Sequence, residues 1–315
     1  MGKATRAAFG EALARLGSTH PRVVVLDADL SCSTMTNKFA QAFPDRFFQV
    51  GIAEGNMVGI AAGLALGGMV PFAASFACFI AGRFEQIRMS VGYTNTNVRI
   101  VGTHAGVGIG EDGYSQMGLE DIALMRTLPN MVVIQPADAM EAERATEFLA
   151  DYTGPAYLRL TRQPVADVND GAYRFDFGRG VALRDGSDLT IVATGGVVAF
   201  ALEAAAALSR EGIDVGVVNM HTLKPVDAAI LLEAAAKTGR ILTVEDHGVI
   251  GGLGSAVLET LAEVPDVVVH VHGVRTYGES GTHEDLYARH RLDVAGIAAV
   301  VREIVWDAAR SKAAG

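Results

Sequence analysis

Short, unbroken apolar runs alternate along this chain with longer amphipathic or alanine-rich stretches. Val23-Val-Val-Leu-Asp27 is the clearest run, and residues 47–52, 69–74, 97–103, 131–135 and 156–160 repeat it. Runs of that kind, with little polar alternation, read as strands buried on both faces. Helical stretches fall between them, at 4–16 (ended by Gly17), from Asn56 onward, and at 80–93, 119–128 and 139–150. Over 163–187 the pattern lapses into Pro, Asn, Asp and Gly. A second series then begins, with strands at 189–193, 215–219, 241–245 and 267–272 and helices at 199–211, 226–237, 251–261 and 294–309. The expectation is an α/β protein of two domains, each a mostly parallel sheet flanked by helices. The boundaries expected are 1–165, a linker at 166–187, and 188–315. Ligands in such sheets collect beyond the carboxyl ends of the strands.

One stretch departs from the pattern. Phe47 to Ile52 reads as a short buried strand, and the Ala/Gly/Ile/Leu run from Asn56 as a buried helix with almost no polar face. Between them stands Glu54, whose nearest charged neighbours in sequence are Arg46 and Arg83. A lone carboxylate in that setting caps the helix, pairs with a distant base, or is held by desolvation to share a proton with a ligand.

Composition narrows the partners. The 315 residues are half hydrophobic, include 36 glycines and carry a formal net charge of −10. That balance argues against nucleic acid or an anionic membrane. No apolar stretch of spanning length and no signal-peptide core is visible, so a cytoplasmic protein is expected. Cys32 and Cys78 lack metal-site spacing and are read as reduced and buried. The Gly108-x-Gly110-x-x-Gly113 match is a weak dinucleotide signal among so many glycines. Small residues there would let backbone approach a polar substrate closely.

Val50-Gly-Ile-Ala-Glu-Gly-Asn-Met57 and Phe76-Ala-Cys-Phe-Ile-Ala-Gly82 resemble the pyrimidine-binding domain of the thiamine-diphosphate-dependent transketolase family. Glu245-Asp-His-Gly-Val-Ile-Gly-Gly-Leu-Gly254 resembles the C-terminal domain of the same family. The resemblance implies that Glu54 hydrogen-bonds N1′ of the cofactor's aminopyrimidine, so the cofactor is the electron sink and the protein supplies orientation and one carboxylate. It implies that Phe76 and Phe79 line the pyrimidine pocket, Phe79 equally reading as a core residue. It places Asp29 near the thiazolium, where a turn role is the alternative. His104 and Asp112 match the family's substrate pattern, with Glu54 and His104 expected in the chemistry. Gln116 stands where the family usually has His, and an amide cannot shuttle a proton near neutral pH. Arg6, Ser33, His104 and Arg162 match positions that hold a sugar-phosphate tail, and two guanidinium forks, a hydroxyl and an imidazole make a sensible anion clamp. Taken singly, Arg6 also reads as a solvated helix residue, Arg162 as a surface ion pair and Ser33 as a turn hydroxyl.

The family's Gly-Asp-Gly segment and following Asn pair, which hold the diphosphate and a divalent cation, have no counterpart here. The resemblance therefore implies the C-terminal (β) subunit of a split transketolase, transferring a two-carbon ketol unit between a ketose and an aldose, phosphorylated sugars being the favoured substrates. It implies an N-terminal (diphosphate-binding) partner that binds Mg2+ or Ca2+, in an α₂β₂ assembly, with no metal site in this chain. A 1-deoxyxylulose-5-phosphate synthase-like carboligase, the β subunit of a 2-oxoacid dehydrogenase, and a non-catalytic partner subunit are the alternatives.

Overall fold

The structure is a computed structural model that describes residues 2–313, with side chains described as far as residue 307. The first half of the chain builds a seven-stranded sheet. Six strands come from that half: β1 (Val23–Asp27), β2 (Phe47–Gln49), β3 (Val70–Phe76), β4 (Arg99–Thr103), β5 (Val132–Ile134) and β6 (Ala156–Arg159). The second half adds β7 (Val181–Arg184), β8 (Leu189–Ala193), β9 (Val215–Asn219), β10 (Thr222–Lys224), β11 (Arg240–Gly248) and β12 (Val268–Val274). The sheet orders are β10-β5-β6-β4-β3-β1-β2 and β12-β11-β8-β9-β7. All pairings are parallel except β10 on β5 and β7 on β9.

β1, β3 and β4 are buried at every position, as continuous apolar runs in a doubly covered sheet must be. One face carries the helix Thr5–Thr19 packed on the helix Ala139–Asp151, through Phe9, Leu13 and Leu149. The opposite face carries Met57, Ile80, Ile87, Ile122 and Met125. That apolar cluster continues without interruption into Val192, Val218 and Leu253 of the second half.

Several sequence expectations need correction. β2 ends at Gln49, its last two residues are exposed, and Ile52 is 83% exposed, so residues 47–52 form an edge strand and a turn. The helix expected from Asn56 starts at Glu54 and runs to Leu66, burying only one side. The helix expected over 80–93 breaks at Gly82–Arg83 and finishes as a π-helical turn. Residues 166–187 hold β7, which pairs with the second sheet, and the preceding residues strap onto the first: Val168 and Asn169 N–H groups donate to Asp138, and the Tyr173 hydroxyl to Glu141. β10 lies within the second sequence half yet pairs in the first sheet. Cys32 is exposed and Cys78 half-buried, against the expectation that both are buried. Among the described residues no helix is long and apolar enough to cross a membrane.

Candidate functional site

Two threonines bring the ends of the first sheet's chain together. Thr161, just past β6, donates its N–H to Thr5 Oγ1 at 2.7 Å, and the two hydroxyls lie 3.0 Å apart. Their sequence neighbours, Arg6 and Arg162, are thereby set side by side at the carboxyl edge of the sheet. Arg6 reaches inward: its Nε donates to the Arg162 carbonyl at 3.3 Å and its Nη1 to the Ser33 carbonyl at 2.5 Å. The same Nη1 lies 3.2 Å from His104 Nε2. Burial first, and then the neighbouring Arg162 charge, lower the Arg6 pKa. A solvated-helix role for Arg6 does not fit that setting. Arg162 makes the ion pair weighed for it, with Glu111 at 3.1 Å, while also donating to the Ile109 carbonyl at 2.5 Å.

His104 follows β4 directly, in the left-handed region at φ 56°. It is 3% exposed, and its ring stacks on Phe76 with centroids 3.8 Å apart. Phe76 stacks in turn on Phe79, at 5.5 Å and nearly parallel, so three rings form one wall. Phe79 is half-buried at the end of that wall, where it also packs against the hydrophobic core. Burial, and then Arg6 and Arg162, push the His104 pKa down to about 3. The imidazole is therefore neutral near neutral pH.

Glu54 opens its helix with a side chain that is 5% exposed. It caps no N–H of that helix. Ser75, in β3, donates its hydroxyl to Glu54 Oε1 at a long 3.4 Å. The Ser75 carbonyl accepts from Thr103 Oγ1, 2.9 Å from His104 Nδ1, so Ser75 ties the acid to the imidazole. Sequence reasoning missed Ser75 and Thr103, since a serine inside an apolar strand carries no motif. Asp29 is exposed at φ 66° and donates its N–H to Gln49 Oε1. The turn role considered for Asp29 belongs instead to buried Asp27, which accepts from Leu30 N and from the Thr34 and Thr36 hydroxyls. Ser33 is half-buried in the helical turn Ser31–Thr34.

Asp112 and Gln116 stand farther out, the first exposed and the second half-buried, on the turns that follow the glycine-rich loop. That loop is shaped by left-handed Gly106, Gly110 and Gly113 and has no long helix after it, unlike a dinucleotide fingerprint. The arrangement gives a buried carboxylate and an aromatic wall joined through Ser75 and Thr103, and a neutral imidazole with two guanidiniums near it. A flat heteroaromatic ring fits the first part, an anion the second.

Residues 1–167 match the family description "Transketolase, pyrimidine binding domain", and residues 178–297 match "Transketolase, C-terminal domain". A putative transketolase C-terminal section of Methanocaldococcus jannaschii is 44% identical over 306 residues, which cover 96% of each chain. Transketolase-like protein 1 of Bos taurus is 41% identical over 307 residues, and there the chain spans about half the relative's length (50%). A solved structure described as a split gene transketolase, inactive beta4 tetramer, superposes with a TM-score of 0.88 at 47% identity, covering 97% of this chain and 99% of that one.

Proposed function

The chain belongs to the transketolase family, and from that premise we propose that it is the C-terminal (β) subunit of a split transketolase that moves a two-carbon ketol unit between sugars. The near-complete overlap with a relative named as a C-terminal section supports the split, as does the half-length overlap with a longer one. Absence of Gly-Asp-Gly and Asn-Asn segments agrees with a partner that holds the diphosphate and the Mg2+ or Ca2+. The neighbour described as an inactive tetramer of β chains is what such a subunit would give without its partner. An α₂β₂ assembly follows from pairing two such halves.

One observation carries the reading. Glu54 is a buried carboxylate that accepts a long hydrogen bond from Ser75, the residue before Phe76, whose ring stacks on Phe79. Such a group retains most of its capacity to accept a hydrogen bond. Glu54 would hold the edge of the aminopyrimidine, Phe76 and Phe79 its face, and Asp29 would lie by the thiazolium. When bound, thiamine diphosphate supplies the electron sink for breaking and forming carbon–carbon bonds. This chain's residues orient and neutralise. Arg6, Arg162, the Ser33 hydroxyl and neutral His104 bind the phosphate end, with Nε2 of His104 pointed at the same guanidinium. Asp112 and Gln116 hold sugar hydroxyls, Gln116 by hydrogen bonding without proton transfer.

Glu54→Ala tests the proposal in the complex reconstituted with the N-terminal subunit, assayed by coupled ketose-phosphate turnover. Turnover should fall by about 100-fold or more, with the complex still assembled. Retention of full activity would reduce this chain to a scaffold.

A further inference from the structure

The second domain has no part in the site just described, yet one of its carboxylates reaches the loop that carries it. Asp246, near the carboxyl end of β11, is 4% exposed. Its Oδ1 accepts the Val107 N–H at 2.8 Å and its Oδ2 the Gly108 N–H at 3.3 Å. Those two consecutive amides stand at the start of the glycine-rich loop between His104 and Asp112. Oδ2 also accepts the Tyr287 hydroxyl at 3.0 Å. Tyr287 accepts in turn from Gln163 Nε2 at 2.5 Å, and Gln163 is the sequence neighbour of Arg162. One buried carboxylate is thus tied on one side to the loop after His104 and on the other to the strand end that bears Arg162.

The glycines are explained by the same contact. A Cβ on Gly106, which sits at φ 79°, would stand 2.1 Å from Asp246 Oδ2. A Cβ on Gly108 would stand 2.3 Å from Gln163 Nε2 and 2.5 Å from the Tyr287 hydroxyl. Only bare backbone allows the acid and its two partners so close. The far end of the loop is held from the second domain too, where Ser280 Oγ donates to the Glu111 carbonyl at 2.6 Å. Arg162 then closes the circuit on the carbonyl of Ile109.

We propose that Asp246 is a positioning residue, which fixes the spacing between the His104 loop and Arg162 and so sets how tightly the site grips the anionic end of its substrate. The proposal rests on the transketolase reading for the identity of that substrate. Asp246 acts only through backbone amides and Tyr287; it does not face the sugar or the cofactor.

The test uses Asp246→Asn, which keeps the shape but replaces one acceptor oxygen with a donor, and Tyr287→Phe, which removes the hydroxyl joining Asp246 to Gln163 and leaves both amide bonds of Asp246 in place. In the two-subunit complex, Asp246→Asn should raise KM for the phosphorylated sugar by about tenfold, the loss expected for one hydrogen bond to a charged group. Tyr287→Phe should raise it by about threefold, a smaller loss because the two amide bonds to Asp246 remain. The cofactor concentration needed for half-activation should stay within twofold of the parent. In the isolated chain, titration with inorganic phosphate followed by NMR should show the same order of weakening, and the Val107 and Gly108 amides should exchange faster in Asp246→Asn. An unchanged KM and phosphate affinity despite faster exchange would overturn the proposal. So would equal losses for sugar and cofactor, which mark general loosening. A parent complex without ketol transfer would sink the transketolase reading instead, and the phosphate titration would still decide the role of Asp246.

Discussion

His104 carries its proton on Nδ1. The guanidinium 3.2 Å from its Nε2 can only donate, so Nε2 accepts, and Nδ1–H turns to Thr103 Oγ1, whose own hydroxyl donates a hydrogen bond to the Ser75 carbonyl. Burial makes the protonated ring costly, and the same holds for two other imidazoles: His221 and His247 are pushed down to about 4, in each case chiefly by burial. Their folded values lie below the ordinary 6.5, so the folded state binds fewer protons than the unfolded chain between those limits. Stability is then lost as pH falls from 6.5 toward 4, by up to about 1.4 kcal/mol per pH unit for each ring. Glu141 and Glu245, raised by burial to about 7, act in the opposite direction as pH rises from 4.5 to 7. His221→Phe, which keeps a ring against Phe175, should therefore lose less Tm between pH 7 and pH 4.5 than the parent does in calorimetry. An identical loss in the two proteins would count against a neutral buried His221. At this scale the sequence was informative where residues sit in recognisable runs, as Arg6, His104 and Arg162 do. Ser75, Thr103 and Asp246 were illegible because each acts through a contact made by tertiary folding.

The helix Glu54–Leu66 shows where hydrophobic pattern stops being informative. Glu54, Met57, Val58, Ala61 and Ala62 face the sheet at helical spacing. The opposite side is open, with Leu66 77% exposed and nothing within 4 Å of where Gly59 or Gly63 would carry a Cβ, while half-buried Ile60 and Leu64 pack at the margin of the core. A helix without a polar stripe reads as enclosed all round, but within this chain one side of it stays open. Edge strand β2 was read as buried for the same reason, since Phe47, Phe48 and Ile52 are all apolar. Leu66→Glu should weaken assembly with a second subunit, by about tenfold or more for loss of one buried leucine, as read by sedimentation velocity. Unchanged association would place the interface elsewhere.

The two domains share one interior. Arg159 of β6 pairs with Asp121 at 2.8 Å with both side chains almost wholly enclosed, the Tyr157 hydroxyl donates to the same carboxylate, and His247 of β11 lies 4.0 Å from it. Burial alone would raise the Asp121 carboxyl, but Arg159 and His247 hold it below its ordinary value. Asp121→Asn leaves the guanidinium without its counter-charge and should cost about 3–5 kcal/mol, seen as a lower Tm in a transition that stays single for both domains. Two separate transitions would show that the halves melt independently. The alternation of strands and helices made the two-sheet architecture readable, but the crossover of β10 was not, because a three-residue strand after β9 has no pattern of its own.

That crossover limits how the chain can be cut. A fragment ending near residue 165 would strip β10 from β5 and leave the backbone of β5 without a partner along one margin. Unzipped strand margins recruit whatever strand is nearby, so such a fragment should clump through that margin unless the cut also carries β10 along.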